Sequence, residues 1–231
     1  MRSGPWNFLC IIGFYLYVCK VLGPRLMKNR PAFELTQLIR HYNLLMSLFN
    51  LWFFTKILSI TNYGIDTWMC PKNPISDERN RESIFLGWIL LMSRLVELMD
   101  TIFFILRKSH HQISALHLFH HTVVPICIWF PLKLTPEVQY GFGPLINSFI
   151  HVIMYFYYYM STFGPAVRPY LWWKRYLTGL QLIQFMLIIV NCLRVFVVAD
   201  CGLSHAFMSS LVFIACVLFV LFLSFYYNTY N

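Results

Sequence analysis

Residues 206–227 read AFMSSLVFIACVLFVLFLSFYY. No charged side chain, proline or glycine interrupts these 22 residues. As a helix rising about 1.5 Å per residue they extend about 33 Å, enough to cross a hydrocarbon core about 30 Å thick. A helix that is apolar on every side must lie in a large protein core or in lipid. A chain of 231 residues has no core that large.

Working outward, six further stretches have the same character: residues 6–22, 37–60, 84–106, 115–132, 142–163 and 176–198. Hydrophobic residues make up 58% of the chain and charged residues 12%, about half the charged share of a soluble domain. The mean hydropathy is +0.60. These values predict one all-α integral membrane domain over residues 1–231, with seven transmembrane helices. A β-barrel is excluded because the apolar runs are long and continuous rather than short and alternating. The first stretch, followed by Cys19-Lys20-Val21, lacks a small-x-small cleavage site and reads as an uncleaved signal anchor.

The net charge of +9 does not indicate nucleic acid once its distribution is considered. Loops one, three and five hold Lys20, Arg25, Lys28, Arg30, Arg107, Lys108, Arg168, Lys174 and Arg175, with only Glu34 among them. The opposite face carries Arg2, Lys72, Arg79, Arg81 and Lys133 against Asp66, Asp77, Glu78, Glu82, Glu137 and Asp200. Cationic loops stay on the cytosolic side, so the N-terminus is expected in the lumen and the C-terminus in the cytosol. Cys70 and Cys201 then share the oxidising side, where a disulfide would tie two distant hairpins. The seven cysteines form no CxxC or Cys/His zinc pattern.

Ionisable groups within spans are costly and call for a functional reading. The third span carries Arg94, Glu97, Asp100 and Thr101 at helical spacing, so that Arg94 can neutralise Glu97. The fourth opens with His117, His120 and His121; the fifth carries Asn147, His151, Met154, Tyr155 and Tyr158; the sixth opens with Thr178, Gln181 and Gln184. Given the topology, these four stripes share a depth in the cytosolic half of the membrane. That common depth predicts a site. Lone His41 and His205 read as packing residues, and His110-His111 as a solvated cationic edge.

The residues alone leave two chemistries open. HxxHH can present a metal from one helix face, and Glu97 and Asp100 can add oxygen ligands, although a membrane di-iron oxygenase needs more histidine boxes. Alternatively a neutral imidazole attacks a thioester and holds the acyl group, while a second His and amide donors stabilise the developing oxyanion. Cationic loops suit a phosphorylated carrier such as coenzyme A. A seven-helix transporter predicts a repeat between the first and last three spans, which is not visible. A seven-helix receptor lacks its short motifs.

The motifs resemble those of the fatty acid elongase (ELO) family, the very-long-chain 3-oxoacyl-CoA synthases. KxxExxDT is matched by Arg94-Leu-Val-Glu97-Leu-Met-Asp100-Thr101, with Arg in place of Lys. HxxHH is matched by His117 to His121, HxxMYxYY by His151 to Tyr158, and TxxQxxQF by Thr178 to Phe185. Leu22-Gly23-Pro24, Met27 and Asn29-Arg30 follow the family pattern too. The resemblance implies a fold in which six of the seven helices form a barrel around an acyl tunnel. It implies condensation of a long-chain acyl-CoA with malonyl-CoA, releasing CoA and CO2, through an acyl-imidazole on His120 with His151 as the second imidazole.

It further implies no metal and no cofactor beyond the CoA thioesters, a lumenal Cys70–Cys201 bridge, and the endoplasmic reticulum membrane as location. The location rests on the resemblance, since residues 228–231 carry no Lys-rich signal. Membrane lipid, the ketoreductase, dehydratase and enoyl reductase of the elongation cycle, and a second copy of the chain are the expected partners; nucleic acid is not. Asn147 is expected to orient His151 or hold an oxyanion. Gln181, Gln184, Tyr155, Tyr158 and Thr178 are expected to meet the thioester and pantetheine. Lys174 and Arg175, with Arg107 and Lys108, are expected to meet the CoA phosphates. Arg194, near the far end of its span, is expected to floor the tunnel.

Overall fold

The computed structural model describes residues 5–69, 76–134, 138–198 and 203–230. Among these residues every regular element is helical. Helix α1 spans Trp6–Met27, α2 Thr36–Ile60, α3 Asp77–Val96 and α4 Met99–Leu106. They are followed by α5 Ala115–Leu134, α6 Phe142–Ser161, α7 Lys174–Arg194 and α8 His205–Tyr230. Cys70 and Cys201, the expected disulfide, lie outside the described residues.

Five of these helices, α1, α2, α5, α7 and α8, are long and apolar enough to cross a membrane. Their outer faces leave Phe14, Leu45, Ile183, Phe213 and Val220 exposed, side chains that lipid covers without cost. Such a protein is multi-pass, because backbone polar groups in lipid must be satisfied within each helix. The expected third and fifth spans are the two that carry the most site residues. Polar groups lower the apolarity of α6, and the third span does not run unbroken: α3 ends at Val96 and α4 begins at Met99. At the break, Leu98 N–H donates to the Leu95 carbonyl at 3.3 Å and Asp100 N–H to the Glu97 carbonyl at 3.1 Å. These are tight i to i+3 turns of the kind that mark functional interruptions in helices.

Helix α2 packs against α6, α6 against α7, α7 against α8, α8 against α5, α5 against α3, and α3 against α2. The α2–α6 pair is fastened by polar contacts as well as apolar ones. Arg40 donates from Nε to Thr162 Oγ1 and from Nη2 to the Thr162 carbonyl, both at 3.0 Å, and Ser47 Oγ donates to the Val152 carbonyl at 3.0 Å. Phe53, Ile57, Leu90 and Leu145 form an apolar cluster between α2, α3 and α6.

Helix α1 packs through Phe8 and Ile12 on Leu91 of α3, with Phe8 stacked on Trp129 of α5 at 5.2 Å. Its middle widens into a π turn over Val18–Leu22. Pro24 has no N–H to give the carbonyl four residues back, so the ladder opens there. Gly23 sits at the closest approach to α4: a Cβ at this position would lie 2.9 Å from Ile105 Cγ2 and 2.9 Å from the Val18 carbonyl oxygen. Gly13, on the same helix, has nothing within 4 Å of such a Cβ.

Thermal melts in detergent check this packing. Gly23→Ala is expected to destabilise the protein by about 1–3 kcal/mol through overpacking. Gly13→Ala is expected to be neutral or stabilising, because Ala is the better helix former. Equal melting temperatures for the two variants would contradict the close approach of α1 to α4.

Candidate active site

The break between α3 and α4 places a charged pair inside the bundle. The Arg94 side chain is 1% exposed and that of Glu97 is 2% exposed, and the two are joined as an i, i+3 ion pair. The guanidinium also bonds beyond the pair through its two terminal nitrogens, while its Nε is buried without a hydrogen-bond partner among the described residues. Arg94 Nη2 donates to Asn50 Oδ1 at 3.2 Å, and Nη1 lies 2.7 Å from His151 Nδ1. Asn50, which is fully buried, is itself fixed by donating from Nδ2 to the Met46 carbonyl at 2.8 Å. The pair is thus bound to both α2 and α6.

A guanidinium can only donate. The 2.7 Å contact therefore assigns His151 Nδ1 as an acceptor and puts the ring proton on Nε2. Glu97 Oε1, 3.3 Å from the same Nδ1, is bridged to it through Arg94. Asn147 was expected to orient His151 or hold an oxyanion; the group that holds His151 Nδ1 is Arg94. Lysine at position 94 offers three donors on one atom, whereas arginine spans Glu97, His151 and Asn50 with a planar fork.

The other members of this cluster also have specific partners. Tyr155 donates to Asp100 Oδ2 at 2.9 Å. Thr101 Oγ1 lies 2.8 Å from His117 Nε2 and 2.7 Å from the Tyr15 hydroxyl. The rings of His117 and His121 are 4.3 Å apart, those of His120 and His121 5.3 Å, and those of His120 and His151 6.4 Å. One turn beyond the box, Pro125 removes the helical donor for the His121 carbonyl. Among the described residues, no three His, Cys, Asp or Glu side chains converge as a metal-ligand set.

Two cavities meet at this cluster. A polar one of about 660 Å³ is lined by His117, His120, His121, His151, Tyr155 and Tyr158, and by Thr178, Gln181 and Gln184 of α7. An apolar one of about 210 Å³ runs from there between α2, α3, α5, α6, α7 and α8. His120, Asn147 and Gln184 line both. Gln184 Oε1 is buried without a hydrogen-bond partner among the described residues. Gln181 Nε2 is 3.7 Å from Met154 Sδ, and Thr178 Oγ1 is 3.3 Å from the Tyr230 hydroxyl of α8.

Of the four cations expected at the phosphates, Arg107 and Lys174 line the polar cavity; Lys108 and Arg175 do not. Arg175 instead lies over the Tyr176 ring at 5.2 Å. Arg194 lines neither cavity, so it is not the floor of the apolar one. Its guanidinium sits 5.9 Å from the Trp68 ring, and Asn191, one turn earlier, takes the lining position. Sequence reasoning missed Asn50, Tyr42 and His111. Asn50 sits on a span whose apolar pattern gave no reason to single it out, while Tyr42 and His111 line the polar cavity. His41 bonds within its own helix, Nδ1 to the Gln37 carbonyl at 2.7 Å, and His205 packs on Phe196.

The sequence model of the ELO family, described as the GNS1/SUR4 family, matches residues 1–231. Rat "Very long chain fatty acid elongase 7" is 36% identical over 100% of this chain and 83% of its own length. Human "Very long chain fatty acid elongase 1" is 35% identical over 100% of this chain and 84% of its own. Mouse "Very long chain fatty acid elongase 5" is 38% identical over 97% of this chain and 74% of its own. With a family match along its whole length and relatives above one-third identity, the chain belongs to the ELO (GNS1/SUR4) family, that of the very-long-chain fatty acid elongases.

Proposed function

We propose that this protein condenses a long-chain acyl-CoA with malonyl-CoA to 3-oxoacyl-CoA, CoA and CO2. One observation carries the reading: His120, Asn147 and Gln184 stand where a polar cavity passes into an apolar one. An acyl thioester has the same division, with a polar carrier on one side of the reacting carbon and an alkyl chain on the other. The closed succession of neighbours α2, α6, α7, α8, α5 and α3 supports a six-helix barrel around an acyl tunnel, with the α1 rod outside it as the seventh span.

In the first half-reaction a His120 ring nitrogen attacks the thioester carbonyl. The C–N bond forms, the C–S bond breaks, and CoA leaves as the thiol carrying the imidazole proton. In the second, malonyl-CoA loses CO2, and the resulting enolate carbon attacks the acyl-imidazole carbonyl. A C–C bond forms, the C–N bond breaks, and the released imidazole takes up one proton. His151, with its proton on Nε2, is a fixed donor for the oxyanion that develops in each half. Arg94 holds that tautomer and so acts as a positioning residue. Arg107 and Lys174 meet the CoA phosphates, Gln181 and Gln184 the pantetheine amides, and the two half-reactions need no metal.

The basic rim of the polar cavity supports a cytosolic mouth, a lumenal N-terminus and a cytosolic C-terminus in the endoplasmic reticulum membrane. The 3-oxo product requires a ketoreductase, a dehydratase and an enoyl reductase to act in turn. Those enzymes and a second copy of the chain are the proposed protein partners, in a lipid surround.

Three measurements test this reading. Intact-mass spectrometry of detergent-purified protein given acyl-CoA alone is expected to find an acyl adduct that malonyl-CoA discharges and His120→Ala abolishes; product formation without any adduct would overturn the covalent route. Arg94→Leu leaves Glu97 a buried unpaired charge, a loss of about 3–5 kcal/mol. It is expected to lower kcat at least a hundredfold, with Arg94→Lys in between; a stable and fully active Arg94→Leu would remove Arg94 from the mechanism. Turnover is expected to survive exhaustive chelation, and recovery on adding iron or zinc after loss would favour a metal site.

A further inference from the structure

The apolar cavity is not uniformly apolar. Gln139, in the turn just before α6, and Asn191, near the C-terminal end of α7, both line it. They are 6% and 5% exposed, and Gln139 Oε1 and Asn191 Nδ2 have no hydrogen-bond partner among the described residues. One is an acceptor and the other a donor. Their neighbours on this wall include Cys192, Tyr140, Met208 and Leu211, and all four belong to or pack on the apolar cluster at this end of the bundle. Buried amides left unpaired in such a place are costly, and each calls for a partner.

We propose that Gln139 and Asn191 form a second, polar binding point within the apolar cavity, and that it takes a hydroxyl. A hydroxyl oxygen can donate to Gln139 Oε1 and accept from Asn191 Nδ2 at once. Resting on the elongase reading, the proposal assigns that hydroxyl to the acyl chain, making hydroxylated long-chain acyl thioesters substrates of this protein. Water offers the same chemistry as the other source. Asn191 lies seven residues beyond Gln184 on the same face of α7, about 10 Å further from the reacting carbon. A hydroxyl there sits well along the chain and clear of the thioester. Alkyl chains without one leave both amides unpaired, which is the arrangement that discriminates most sharply between analogues.

The test compares octadecanoyl-CoA with positional isomers of hydroxyoctadecanoyl-CoA, with malonyl-CoA as co-substrate, in wild type, Gln139→Leu and Asn191→Leu. The readout is the ratio of kcat/KM for hydroxylated over plain chain. Being internal to each variant, this ratio is insensitive to partial loss of active protein. Leucine removes the unpaired amide from an apolar wall, and melting temperatures confirm folding. If the chain supplies the hydroxyl, the ratio in wild type exceeds one at one hydroxyl position and falls about tenfold in each variant. If water supplies it, wild type favours the plain chain at every position and both variants gain several-fold on octadecanoyl-CoA; this keeps the binding point and overturns the substrate assignment. A ratio that ignores hydroxyl position and is unchanged in both variants overturns the proposal. Failure of wild type to turn over octadecanoyl-CoA would count against the elongase reading instead.

Discussion

The buried Arg94–Glu97 pair is the constraint on which the rest of this structure depends. Two opposite charges inside a membrane bundle persist only if each is compensated and hydrogen-bonded. Meeting that condition takes Asn50 from α2, His151 from α6 and a break in the helix between α3 and α4. Three rods are thereby held in register by one guanidinium. The imidazole that needs a defined tautomer is attached to the same group. Under the proposed function, stability and chemistry share one set of hydrogen bonds, formed by residues that lower the helix's own affinity for lipid.

Around that fixed point the molecule separates polar from apolar space. The histidine box of α5 and the glutamines of α7 face a polar cavity with basic residues at its rim, and the wall beyond them is almost entirely alkyl and aromatic. The line between the two passes through His120, Asn147 and Gln184. In the proposed reaction this line would itself position an amphipathic thioester, since moving it either way would strip water from the carrier or expose the chain. The unpaired amides of Gln139 and Asn191 are the exception to the apolar wall, and a binding contact within it rather than a packing detail is the reading their burial supports.

The sequence by itself determined the class of fold, because a continuous run such as residues 206–227 has no stable place except in lipid. It placed the ends of α2, α5, α6, α7 and α8 to within four residues, because apolar periodicity and membrane thickness set their length, but not the start of α3 at Asp77, the break after Val96 or the run of α1 to Met27. It also singled out Arg94, Glu97, the His117–His121 box, His151 and the α7 glutamines, since each motif places its polar groups on one helix face. Tertiary structure decided what spacing along one helix cannot carry: that Arg94, and not Asn147, holds His151; that Asn50 completes the pair; that Arg175 and Arg194 line neither cavity; and that Gln139 and Asn191 line the same apolar one. Those relations depend on how separate helices rotate against one another, and packing across the bundle sets that rotation.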